Sequence, residues 1–104
     1  MNIFANIPSA IPAELCEVLA AGQGVKIERI LSQGHASPPD FWYDQAQSEW
    51  VIVLQGSAAV LFKGEEQARV LRAGDYLHIP AHVQHRVTWT DSQQVTLWLA
   101  VHYS

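Results

Sequence analysis

Apolar residues recur with a helical period in only one segment, near the start of the chain. Four of them follow the i, i+4, i+7, i+8 spacing that places side chains on one helix face: Ile11, Leu15, Val18 and Leu19. Pro12 suits a first helical turn, and Gly22 with Gly24 suits a stop. The pattern therefore predicts a short α-helix within an N-terminal extension that covers residues 1–24.

From residue 25 onward the pattern changes to short β-prone runs separated by turn residues. The runs cover residues 25–31, 49–55, 58–62, 68–71, 75–79, 84–89 and 95–102. Apolar and polar residues alternate in the first run, and Gly56-Ser57 between the next two indicates a hairpin turn. Six to eight short strands without alternating helices predict one all-β domain, a barrel or sandwich over residues 25–104.

Composition and charge limit the class of protein without identifying a ligand. The chain has 104 residues, which suits one domain, and 49% of them are hydrophobic, which predicts a folded and soluble protein. No apolar run is long enough to cross a bilayer, and no secretory signal is visible. The net charge of −4, with scattered cations, argues against nucleic acid and membrane partners. The single Cys16 cannot form an internal disulfide, which fits the cytoplasm.

Two spaced patterns carry the functional signal. In the first, Glu49 precedes a strongly β-prone run and is followed, after six intervening residues, by Gly56. In the second, four residues separate Gly74-Asp75 from Pro80, and four more separate Pro80 from His85. Strand alternation places His85 on the apolar face of its run. Burying the carboxylate of Glu49 would cost several kcal/mol unless a cation or hydrogen bonds compensate. The alternatives are a solvated Glu49 at a strand end and a hydrogen-bonded core histidine at His85.

In order and separation, these patterns resemble the two motifs of the cupin family of small β-barrels. The likeness extends from about residue 25 to residue 102, nearly the whole chain after the predicted helix. It implies a single-domain cupin, a jelly-roll barrel or double-stranded β-helix with the N-terminal helix packed outside. It also implies a homodimer, since cupins commonly pair through sheet edges or sheet faces. Metal-binding cupins hold their ion with three histidines and a glutamate, and Glu49 and His85 match two of these positions.

The two histidines of the first cupin motif are missing from this chain. Depending on how the spacing is counted, one of two pairs replaces them: Tyr43 with Gln45, or Trp42 with Asp44. A site of Gln45, Glu49 and His85 would offer one nitrogen and two oxygen donors. That mixture suits Fe(II), Mn(II), Zn(II) or Ni(II) and leaves open positions for a small polar metabolite. If the strand bulges, Asp44 replaces Gln45.

If the protein is an enzyme, the resemblance implies dioxygenase, isomerase or lyase chemistry, in which Tyr43 or His35 would move protons. His78 and His102 are further candidates for the cavity, as is Asp44. For the histidines, the alternative is a surface position or a hydrogen-bonded place in the core.

Two other functions remain open at the level of sequence. One is a metal-free binding or sensor module that uses the same cavity without turnover. The other is an interaction protein whose barrel is filled and whose three consecutive aromatic residues, 41–43, contact a partner. The sequence does not decide whether the protein is an enzyme, which substrate it takes or what Cys16 does.

Overall fold

A computed structural model describes the whole chain, residues 1–104, as eight β-strands without a helix. The strands are β1 (Leu15–Gly22), β2 (Val25–Ser32), β3 (Ser48–Gln55), β4 (Ser57–Phe62), β5 (Arg69–Arg72), β6 (Tyr76–Ile79), β7 (His85–Thr90) and β8 (Thr96–Tyr103). They form a five-stranded sheet in the order β1-β2-β8-β3-β6 and a three-stranded sheet in the order β5-β4-β7. All named pairs are antiparallel. The predicted all-β fold is confirmed, and no helix is long and apolar enough to span a membrane.

The predicted N-terminal helix is wrong. Residues Leu15–Gly22 form β1, which pairs antiparallel with β2 and carries a bulge between Val18 and Ala20. β2 supplies backbone hydrogen bonds to this segment from a strand that follows it in the chain, for example at the pair Leu15 and Leu31. Such tertiary pairing overrides a weak helical period in a short segment.

The predicted hairpin at Gly56-Ser57 is also wrong, because β3 and β4 lie in different sheets. The backbone of Val53 bonds instead to the loop before β6, where it accepts from the amide of Gly74 and donates to the carbonyl of Asp75. Gly56 has φ of 82°, and a Cβ built there would lie 2.5 Å from Oγ1 of Thr96. This glycine therefore lets the chain turn sharply from one sheet into the other.

The main core lies between the two sheets. Alternation along β3 buries Glu49, Val51 and Val53 and leaves Trp50 and Ile52 half-buried on the outer face. Nine buried residues form this core: Val51, Val53, Ala58, Val60, Phe62, Leu71, Ile79, Trp98 and Ala100. The inward faces of β3 and β8 therefore carry both core residues and the polar groups described below.

A second apolar cluster forms where the N-terminal segment, residues 1–11, covers part of the outer face of the five-stranded sheet. Ile11 is buried there against Leu31 and two residues near the start of β8. The guanidinium of Arg29 holds the segment in place, because its Nη1 donates to the carbonyls of Ile3 at 3.0 Å and Ala5 at 2.6 Å. An irregular segment with a turn at residues 3–6 thus covers the outside of the barrel, where the sequence predicted that a helix packs.

Candidate functional site

A cavity of about 140 Å³ lies between the two sheets and opens at one end of the barrel. Strands of both sheets contribute to it, and apolar residues line its inner part. Three carboxylates and two imidazoles converge on it, those of Glu14, Glu28, Glu49, His85 and His102. Neither lysine nor arginine lines the cavity, so its fixed charge is dominated by carboxylates.

Glu49 and His85 face each other across this cavity. Glu49 opens β3 and His85 opens β7, and both side chains point inward by strand alternation. Oε1 of Glu49 lies 4.0 Å from Nε2 of His85, too far for a hydrogen bond. Nδ1 of His85 lies 3.0 Å from the carbonyl of Val83 and donates to it in the neutral tautomer, which leaves the Nε2 lone pair free. A free carboxylate and a free imidazole nitrogen therefore face one space.

The environment of Glu49 favours its neutral form. Only 8% of the residue is exposed, and the carboxylate has no hydrogen-bond partner within the protein. Burial raises the pKa of Glu49, while the charges of His102 and His85 oppose this shift and those of Glu28 and Glu14 add to it. The oxygens of Glu49 are open to the cavity, because Nε of Arg86 is the only fully buried side-chain polar atom that lacks a partner. A ligand in the cavity can therefore bond to Glu49 without displacing a protein contact.

A second acid–imidazole pair lies beside the first. Nε2 of His102 lies 2.8 Å from Oε1 of Glu28, and Nζ of Lys26 approaches the same oxygen at 3.8 Å. His102 is the cross-strand partner of Glu49, so the pair adjoins Glu49. Sequence reasoning missed Glu28, because an alternating run is naturally interpreted with its polar residues in solvent. The polar face of β2 instead borders the cavity.

Tyr43 and Gln45, which stand where the motif has histidines, both line the cavity. The backbones of Tyr43 and His85 exchange hydrogen bonds at 2.8 and 3.2 Å, and their rings stack with centroids 5.4 Å apart. Burial, followed by the carboxylate of Glu14, raises the pKa of Tyr43, so its phenol stays protonated at neutral pH. Tyr43 therefore lines the cavity, and its protonated hydroxyl is available to donate a hydrogen bond.

Glu14 and Cys16 also border the cavity, and sequence reasoning missed them because it assigned this segment to a helix. Oε2 of Glu14 accepts from Oγ of Ser32 at 3.0 Å, and Nε1 of Trp98 donates to the same hydroxyl at 3.2 Å. Burial, and then the charge of Glu14, raises the pKa of Cys16 to about 11. The cysteine therefore presents a neutral thiol to the cavity.

The structure does not bring Asp44 or His78 to the cavity. Asp44 is exposed and accepts a hydrogen bond from His82 at 2.8 Å, which lowers its pKa. His78 points to the outer face of the five-stranded sheet, where Nε2 lies 2.6 Å from the hydroxyl of Tyr103. Bulging of the strand therefore does not bring Asp44 into the position of Gln45.

His35 lies in a separate cleft of about 430 Å³ beside the mouth of the barrel. Its Nδ1 accepts a hydrogen bond from the amide of Gln33 at 2.9 Å. The cleft is bordered by segments 12–14 and 35–38 and by Phe41, and it shares Glu14, Tyr43 and Val87 with the barrel cavity. His35 is thus placed near the site but outside the barrel.

The donor set can be tested against a metal ion. Bonds from Zn²⁺ to nitrogen and oxygen are about 2.0–2.2 Å long, so one ion can contact both Nε2 of His85 and Oε1 of Glu49 across 4.0 Å. No group of three or more His, Cys, Asp or Glu side chains is arranged to hold an ion. A third protein donor would be the amide oxygen of Gln45, with water or substrate in the open positions. The residues present fit an open site rather than a closed one.

The chain was compared with known families and structures. The cupin domain family matches residues 28–102. A crystal structure from Ralstonia eutropha JMP134, named as a candidate mannose-6-phosphate isomerase, shares 52% sequence identity. It superposes with a TM-score of 0.98 over 100% of this chain and 96% of that chain. Among proteins with curated descriptions, no sequence matches.

More distant structures share the fold. A cupin superfamily protein from Desulfitobacterium hafniense DCB-2 is 21% identical, with a TM-score of 0.75 over 93% of this chain and 83% of that chain. A cupin with a double-stranded β-helix fold from Methanocaldococcus jannaschii is 14% identical, with a TM-score of 0.72 over 93% of this chain and 85% of that chain. At these identities the likeness concerns the architecture of the barrel alone.

Proposed function

The chain belongs to the cupin family, and we propose that it binds a small polar ligand inside the barrel through a divalent metal ion at Glu49 and His85. One observation carries the proposal: a buried carboxylate without a partner faces a free imidazole nitrogen at 4.0 Å across a cavity. Buried polar groups are normally hydrogen-bonded, so two free groups that face one space point to a ligand between them. Fe(II), Mn(II), Zn(II) and Ni(II) all accept this mixture of donors.

The protein residues have distinct parts in this site. Glu49 and His85 would hold the ion, and Gln45 would complete the protein share of the donors. A bound ion would polarise an oxygen atom of the substrate. The hydrogen bond from His85 to Val83 keeps the imidazole in the tautomer that presents Nε2, which is the usual supporting contact for such a ligand.

Among the reaction classes that the fold accommodates, we propose the isomerase class if the bound ligand is turned over. Many isomerases work by moving a proton between neighbouring atoms of the substrate. The phenol of Tyr43 is a protonated donor at the cavity wall, so the cavity offers a group suited to proton transfer beside the proposed metal donors. The name of the Ralstonia structure supports the same class, although not necessarily the same substrate.

Metal analysis of the purified protein tests the proposal. After loading with each of the four ions and removal of excess, we expect about one ion per chain in the parent. Glu49→Gln and His85→Gln should each lose it, whereas His78→Gln should retain it, because that histidine lies on the outer face of the sheet. Metal retained equally by all four proteins, or by none, would reject the metal site.

The second candidate function is a metal-free binding module. The contact that favours it is the hydrogen bond between His102 and Glu28, which occupies the other imidazole nitrogen that points into the cavity. A parent protein that stays metal-free after loading but binds small organic molecules in the barrel would support this candidate. Solution NMR with isotope-labelled protein distinguishes the two candidates. In a metal-free binding module, the amide signals shift when a small organic molecule is added in the absence of any metal ion.

We also propose that the protein is a homodimer that pairs through the outer face of its five-stranded sheet. The N-terminal segment covers only one end of this face. The remaining outward residues form cross-strand rows without a formal charge: Val25, Ile27, Trp50, Ile52, Tyr76, His78, Leu99, Val101 and Tyr103. A face without charge can meet a second copy of itself without repulsion, although the chain carries a net charge of −4.

A cytoplasmic location is a further proposal, and it rests on Cys16. The chain has one cysteine, which is free and cannot form a disulfide within the molecule. A reducing compartment keeps such a thiol unmodified.

A further inference from the structure

The barrel cavity and the neighbouring cleft meet at three shared residues, Glu14, Tyr43 and Val87. The cleft is the larger of the two, at about 430 Å³ against about 140 Å³ for the barrel cavity. A ligand that places a compact group in the barrel can therefore place a bulkier part in the cleft.

The walls of the cleft are apolar and already fixed by hydrogen bonds. Ser37 and Val87 are joined twice: the amide of Ser37 donates to the carbonyl of Val87 at 2.8 Å, and the amide of Val87 donates to Oγ of Ser37 at 3.1 Å. Phe41 meets Tyr43 edge to face with ring centroids 4.8 Å apart, and Pro12 and Pro38 complete the apolar lining. A preformed cleft of aromatic and proline side chains suits a flat ring.

The charges at the two cavities favour a cation and oppose an anion. Three glutamates, Glu14, Glu28 and Glu49, border the spaces, and neither lysine nor arginine lines them. Lys26 and His102 both pair with Glu28, and Glu49 faces the imidazole of His85, so Glu14 is the carboxylate without a cationic partner. The side chain of Glu49 is 11% exposed and its carboxylate faces this space, where it adds a second negative charge beside Glu14. Apart from the imidazoles of His35, His85 and His102, no cationic group lines the two spaces, so a phosphate group would find no permanent positive charge here.

We propose that the joined cavities bind a small ring-bearing amine whose ring occupies the cleft and whose ammonium group lies at the junction. There the ammonium would meet the carboxylate of Glu14 and the ring of Tyr43, a pairing of charge and aromatic face that stabilises organic cations. This inference rests on the proposed use of the barrel as a ligand site. It is independent of the metal, because Glu14 is not among the proposed metal donors.

Three probes of similar shape and different charge test the proposal: 2-phenylethylamine, 2-phenylethanol and 3-phenylpropionate. Binding is followed at pH 7 through amide shifts in isotope-labelled full-length protein. We expect the amine to bind about tenfold more tightly than the alcohol, and the carboxylate more weakly than either. Equal affinities, a preference for the carboxylate, or no binding of any probe would overturn the proposal, and metal analysis would still decide the metal site separately.

Two variants locate the contacts. Glu14→Gln keeps an acceptor for Ser32 but removes the charge, so the preference for the amine over the alcohol should fall below about twofold. Phe41→Ala should weaken the amine and the alcohol together, because it removes part of the cleft. Glu66→Gln, an exposed control outside both linings, should change neither. A preference for the amine that survives Glu14→Gln would place the charge recognition elsewhere and contradict the proposal.

Discussion

Glu49 shows how position in a fold changes the chemistry of a single carboxylate. Near the start of β3, Glu49 points inward and is largely shielded from water. Burial raises the pKa of its side chain, although two neighbouring imidazoles oppose this shift. Asp44, five residues earlier, is exposed and accepts a hydrogen bond from His82, which lowers its pKa. Two acids close in sequence therefore have opposite shifts, and only the buried one lines the cavity.

The thiol of Cys16 gives a prediction at the same scale. With a pKa of about 11 instead of 9.0, its thiolate fraction at pH 8 should be about a hundredfold lower than that of an unperturbed cysteine. We expect slow reaction with iodoacetamide at pH 8 and a steep increase toward pH 11, measured by mass spectrometry. Glu14→Gln should speed the reaction, because the charge of Glu14 is one cause of the shift, and fast alkylation of the parent at pH 8 would contradict this assignment.

At the scale of elements, the passage from β3 to β4 depends on one glycine. Gly56→Ala would place a Cβ 2.5 Å from Oγ1 and 2.8 Å from Cα of Thr96, at a φ of 82°. We expect a loss of more than about 2 kcal/mol in the free energy of unfolding, measured by urea denaturation, because a close contact adds to the strain of a left-handed backbone.

Gly64→Ala is the matched control for this substitution. Gly64 also has a positive φ, of 95°, but a Cβ there meets no atom within 4 Å. Its loss should be limited to the backbone strain of about 1–2 kcal/mol. Equal losses for both variants would mean that the contact with Thr96 relaxes and that the change of sheet does not require this glycine.

The N-terminal segment is a second element whose place depends on few contacts. In Arg29→Lys a single ammonium replaces the guanidinium that donates to two backbone carbonyls of the segment and pairs with Glu17. We expect the stability to fall by about 1–3 kcal/mol and hydrogen exchange to increase in residues 1–11. Arg69→Lys alters the exposed pair with Glu65 and the contact of the guanidinium with the ring of Phe62, both at the other sheet, so it should leave the exchange of residues 1–11 unchanged. Unaltered exchange in Arg29→Lys would show that the apolar contacts of Ile3, Ile7 and Ile11 suffice.

At the scale of the whole molecule, the proposed dimer has a direct test. Tyr76 is 62% exposed on the outer face of the five-stranded sheet, where it packs against Trp50. Tyr76→Arg places a charge within the proposed contact, on its edge strand β6, so sedimentation should show a shift from dimer toward monomer at micromolar concentrations. Trp89→Arg, at an exposed aromatic of the other sheet, should leave the dimer intact. A monomeric parent would contradict the proposal.

Local pattern was sufficient for some of the features of this protein. The strand-length runs and turn residues predicted an all-β fold, and the motif spacing predicted the cupin family, which the match over residues 28–102 confirms. Alternation within one run also predicted that His85 points inward, whereas Glu49 and His102 were candidates whose direction the sequence left open. These features depend on the order of neighbouring residues, which the sequence contains directly.

Other features depend on which strands meet, and only the tertiary structure decided them. Pairing with β2 made a strand of the segment whose period suggested a helix, and the change of sheet at Gly56 replaced the expected hairpin. Glu14 and Glu28 joined the cavity, while His78 turned to the outer face. Hydrogen bonds between distant strands, and the burial that two facing sheets impose, act between residues far apart in the chain, so the spacing of neighbouring residues does not reveal them.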